Sequence, residues 1–149
     1  MERHAPRIAF VVLLGVVVAA GVAFGGLSLA SRQDSSKITQ GQALYAEHCA
    51  ACHGAALEGQ PNWQDALPNG RMPAPPHDAS GHTWHHADSE LFKITKQGVG
   101  AVLPGYESDM PAFAETMTDD EIRAVFAFIK STWPRREREY QDAQSKARP

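Results

Sequence analysis

Cys49-Ala50-Ala51-Cys52-His53, "CAACH", decides how the rest of this chain reads. Its two thiols are the only cysteines among 149 residues. They lie too close together to staple distant segments, so a disulfide scaffold is excluded. A histidine follows the second thiol directly. A dithiol redox motif of the thioredoxin kind needs a strand before it and a parallel sheet around it. A structural zinc site needs a second pair of cysteine or histidine ligands at matching spacing. The pattern instead matches covalent haem attachment. Two thiols at the end of a helix reach the two vinyl groups on one edge of a porphyrin, and the adjacent imidazole of His53 comes under the iron.

Outward from this motif the chain reads as helices separated by long loops. Helical spacing runs from about Thr39 to Ala51, with Leu44, Tyr45 and His48 on one side. Gly59 to Gly81 holds five prolines and three glycines and reads as loop. "SELFKITKQ", Ser89 to Gln97, is a short helix stopped by Gly98, and "GVGAVLPGYESDMP" is a second loop. Thr118-Asp119-Asp120-Glu121 is a capping box that opens the last helix. Ile122, Val125, Phe126, Ile129 and Trp133 follow at helical spacing, and Pro134 ends the run. No strand pattern and no internal repeat is present, so the expected class is all-α. Loops this long in so small a domain imply a large group filling its centre.

A six-coordinate iron needs a ligand on its second face. Met110, in "PGYESDMPAF", sits in a loop long enough to wrap a ring, and Pro111 stiffens that loop. Met117 precedes the helix cap and reads as core filler. Met72, in "GRMPAPP", also precedes a proline, but only nineteen residues separate it from His53. Met110 is the favoured axial partner of His53, on loop reach and ligand chemistry.

The ends of the chain differ in kind from this centre. Ile8 to Ala30 is free of charge and long enough to span a bilayer as a helix. Arg3, His4 and Arg7 precede it, so residues 1–7 are expected to stay in the cytoplasm and the remainder to be exported. An uncleaved anchor over 8–30 is favoured by its length. Cleavage after "SLA" remains the alternative, and it would leave a soluble periplasmic protein. Residues 31–36 read as linker, 37–134 as the haem domain and 135–149 as a charged, solvated tail, partly helical or frayed. Twelve acidic and three basic residues lie between Gln40 and Glu121, and seven basic and three acidic ones follow. The net charge of −3 argues against nucleic-acid binding.

Residues 37–134 resemble a class I c-type cytochrome of the bacterial, monohaem kind. Gly41, Tyr45 and Cys49 match the family's spacing in the first helix. "CAACHG", "LPGYESDMPAF" and "MTDDEIRAVFAFIKSTWP" match its attachment motif, Met loop and last helix. The resemblance implies a cytochrome c fold wrapped round one covalent haem c, here preceded by one N-terminal transmembrane helix. It implies that Gly41 lets the first helix cross the last near Val125 and Phe128. It also implies a proline carbonyl as acceptor for the outer nitrogen of His53, with Pro61 the nearest candidate. Electron transfer through the haem, not catalysis, is the implied function. The expected partners are redox proteins such as a respiratory complex, a dehydrogenase or an oxidase, and the expected place is the periplasmic face of the inner membrane. The alternative is a haem subunit of an oxidase, dehydrogenase or copper-handling complex.

The insert from Gln60 to Asp88 departs from small members of that family. It carries "HDASGHTWHH", Met72 and Pro61. Three readings of its histidines stay open. They are loop polar groups; or Trp84, His82 and His85, with Tyr106 of the Met loop, support the haem and its propionates; or His77, His82, His85 or His86, with or without Met72, bind a second metal, copper above all.

Overall fold

The structure, a computed structural model, describes residues 32–148. The predicted cytoplasmic segment 1–7 and apolar segment 8–30 lie outside the described residues. Among the described residues, no helix is long and apolar enough to cross a membrane. The chain divides into two units, 1–36 and 37–149. Of the first, residues 32–36 are described, and they are helical.

The second unit is built from helices and loops, with no strand among its described residues. Helix α1 covers 37–48, and a single turn, α2, follows at Ala50–His53. Helix α3 is Asp88–Gln97, α4 is Asp119–Thr132 and α5 is Arg135–Ala147. The core gathers Tyr45, Leu57, Phe113, Met117, Ile122, Val125, Ile129 and Trp133. The predicted capping box forms in full. Thr118 Oγ1 accepts from the Glu121 backbone N–H, and the Glu121 carboxylate accepts from the Thr118 backbone N–H.

Helices α3 and α4 pack together antiparallel. Lys130, near the end of α4, pairs with Asp88 at the start of α3, and Lys96 near the end of α3 pairs with Asp119 at the start of α4. Each carboxylate sits in the first turn of its helix, where the backbone N–H groups favour negative charge. Helix α1 crosses α4 at Gly41. A Cβ there would lie 1.9 Å from the Ala124 carbonyl oxygen and 3.1 Å from Phe128 Cβ. The close crossing implied by the resemblance is present, with Ala124 rather than Val125 as the nearest neighbour.

The C-terminal stretch departs from expectation. Arg135 to Ala147 is helical throughout, and it is not simply solvated: it packs on a 3-10 turn at Thr83–His85. Its anchor is Gln141, wholly buried, whose amide donates to His86 O and to the Asp88 carboxylate. Tyr140 meets the rings of Trp84 and His85. The charge pattern concealed this because uncharged Gln141, Tyr140 and Ser145 make much of the contact, joined by Arg148 at the helix end, which donates to His85 O.

Candidate functional site

Helix α1 delivers the attachment motif to the edge of the core. Tyr45 is buried, and its hydroxyl donates to Gly54 O, closing the turn that follows His53. Gly54 has φ +82, which permits the reversal after α2 at little steric cost. Cys49 and Cys52 are free thiols, one half-buried against the core and the other exposed. Burial and the neighbouring Cys52 push the Cys49 thiol up to about 11. Burial also holds His53 below the ordinary histidine range, so its ring is neutral near pH 7.

The outer nitrogen of His53, Nδ1, donates to the carbonyl of Pro75 at 2.8 Å. The proline expected in this role was Pro61, which is exposed. The chain turns back on itself between them. Gly59 N–H donates to His53 O, and Gln60 N–H donates to Ala74 O, which returns residue 75 to the histidine. Sequence proximity was the wrong guide because this reversal is a long-range pairing.

The donor set fits a covalent haem. Both thiols are unpaired, and they flank one helical turn. With Nδ1 committed to Pro75, His53 keeps Nε2 free as a ligand atom. Met110 packs against the same apolar cluster as Cys49. Met117 is core, 4% exposed, and Met72 faces solvent at 39%. The Met110 loop is held at both ends. Phe113 and Ala114 N–H groups donate to Thr95 O and Lys96 O at the end of α3. On the other side Arg71 pairs with Glu107 and Asp109, and the Met72 N–H donates to the Tyr106 hydroxyl. Tyr106 thus ties the insert to the loop that carries Met110.

The histidine run divides, with the His82 and His86 rings in contact and His77 apart from them. Trp84 donates its indole N–H to Ala79 O, and its ring lies against His85. His82 stacks on Trp63, and His86 pairs with Glu90. His77 lies away from these, stacked on His53. No group of three or more His, Cys, Asp or Glu side chains among the described residues is placed to hold a metal ion. The second-metal reading of His77, His82, His86 and Met72 therefore finds no cluster here: the His82 and His86 rings meet at 5.4 Å between centroids, but His77 is stacked on His53 and Met72 faces solvent. Pro75, Leu57, Thr83 and the Trp133 indole shape the site and were missed. "APPHD" held the one available signal, a proline pair ahead of a histidine.

A family model, Cytochrome c, matches residues 38–133. No curated protein and no solved structure matches the chain.

Proposed function

The chain belongs to the cytochrome c family, and on that premise we propose that it carries single electrons between redox partners through a haem ligated by His53 and Met110. Haem c is the covalently held group of this family, and Cys49 and Cys52 fit its attachment motif. When bound, it supplies a one-electron iron couple.

What carries the reading is the His53 Nδ1 bond to Pro75 O, which leaves Nε2 as the ligand atom. The partly buried position of Met110 beside the core supports the thioether as second ligand, and such a ligand raises the reduction potential. A haem held by both His53 and Met110 would leave no position open for substrate. His53 and Met110 would hold the group without moving a proton, and the burial of His53 shields its ring from water. We also propose tethering through residues 8–30 at the periplasmic face of a bacterial inner membrane, on the strength of that segment's length and of the basic residues before it. The acidic surface between Gln40 and Glu121 suits partners with basic docking patches, such as a respiratory complex, dehydrogenase or oxidase.

The test compares the full chain with Met110→Ala, both loaded with haem. The ferric wild type should show the weak near-infrared band of thioether ligation, and its reduced form should resist carbon monoxide. Met110→Ala should lose the band and bind carbon monoxide at once. Immediate stoichiometric binding by the wild type would overturn the carrier reading.

A further inference from the structure

One member of the histidine run has no part in the proposed electron carrier, yet it is the best anchored of them. The ring of His77 lies face to face with that of His53, with centroids 4.0 Å apart and planes inclined by 21°. Its backbone N–H donates to Leu57 O at 2.8 Å, and its carbonyl accepts from the Trp133 indole at 2.7 Å. Its Nδ1 lies 2.8 Å from Thr83 Oγ1. Thr83 is buried and donates its hydroxyl to Pro76 O, so the remaining lone pair of that oxygen meets His77 Nδ1–H. The Tyr45 ring meets that of His77 in a T-shaped contact, with centroids 6.2 Å apart. Leu57 is itself held at φ +69, a left-handed conformation that a branched side chain seldom adopts. Its carbonyl accepts from both His77 and Asp78.

These contacts bear on a freedom that the Pro75 bond leaves open. An imidazole tied through Nδ1 and ligating through Nε2 can still swing about the line that joins those ends. A flat partner on one face removes that swing. The direction in which the ring plane lies over the porphyrin sets the magnetic axes of a low-spin ferric iron and tunes its electronics. We infer that His77 is a positioning residue whose stacked ring fixes the plane of the His53 imidazole over the haem. The inference rests on the reading of His53 as an iron ligand.

The experiment is proton NMR of the full-length ferric holoprotein, where the paramagnetically shifted haem methyl resonances report the orientation of the axial ring. His77→Leu keeps apolar bulk and removes the flat face, so the methyl shifts should rearrange and the reduction potential should move. His77→Phe restores a flat face without the Thr83 bond and should return the methyl pattern toward wild type. Methyl shifts unchanged in His77→Leu, with the wild type low-spin, would overturn the inference and leave the ligation reading intact. Equal disturbance in His77→Phe and His77→Leu would also overturn it, since general core disruption would then be the cause. A wild type that is not low-spin would overturn the ligation reading and the inference together. Should His77→Leu fail to assemble, Thr83→Val carries the test. It removes the Thr83 bonds to His77 and to Pro76 O while leaving the His77 ring in place, and unchanged methyl shifts there would count against the inference.

Discussion

Gly41→Ala should destabilise this protein, although alanine is the better helix former. Gly41 lies inside α1, and exchanging an interior glycine for alanine ordinarily gains about 1 kcal/mol. Here the added methyl would sit 1.9 Å from the Ala124 carbonyl oxygen, where ordinary contact begins at 3.4 Å. Its second neighbour is the carbonyl carbon at 2.5 Å, so the obstacle is main chain inside α4 and no rotamer change relieves it. The two helices must separate, and Tyr45, Ile122 and Val125 lose packing between them. Overpacking of a core costs about 1–3 kcal/mol, and a backbone obstacle belongs at the top of that range. After the helix-propensity gain, a net loss of about 2 kcal/mol remains. For a domain of this size that lowers the melting midpoint by roughly 10 °C. The assay is thermal unfolding of the full-length holoprotein followed by far-ultraviolet circular dichroism. Gly100→Ala is the control, because a Cβ there meets nothing closer than Tyr106 O at 3.9 Å. A Gly41→Ala protein that melts at or above wild type would refute the reasoning about the crossing.

Thr118→Ala removes one half of the capping box and should cost about 1 kcal/mol, read as a lowered melting midpoint. Gln141→Ala should loosen α5 by about 1–3 kcal/mol, because it leaves His86 O and the Asp88 carboxylate without their buried donor. Faster amide exchange along α5 is the readout, and unchanged exchange would show that the helix is held by other contacts. Burial, then His86 and His85, lowers His82 below its ordinary 6.5. The folded protein therefore binds fewer protons there than the unfolded chain, and the stability from this group is full above pH 6.5 and lost as pH falls through the lower folded value. His82→Gln should flatten that acid-side loss in melts taken across this window. Arg71→Gln should free the Met110 loop, so that reduced protein binds carbon monoxide several-fold faster at low salt. The difference should fade at high salt, where exposed ion pairs are screened. Equal rates at low salt would remove Arg71 from the holding of the loop.

The local features of this chain were legible without coordinates, and they share one property: each is decided within a few residues. The attachment motif needs five consecutive positions. The capping box needs Thr118 and Glu121, while the crossing at Gly41 was implied only by the family resemblance. The burial of Met117 followed from its place just before a helix cap. The order of helices and the all-α class came from hydrophobic spacing of the same short range.

Only the tertiary structure decided what depends on chain reversal. Pro75 rather than Pro61 meets His53 because Gln60 pairs with Ala74, and no local pattern encodes that pairing. The histidine run looked like one site because its members are neighbours in sequence. Folded, His82 and His86 meet each other beside Trp63 and Glu90, while His77 goes to His53. The C-terminal helix was hidden by its own charge, since a buried glutamine and a ring contact anchor it where an apolar stripe would have been visible. Hydrophobic spacing reports which face of a segment is buried. It does not report against which distant segment a polar side chain finds its hydrogen bond, and those bonds shape the surroundings of His53.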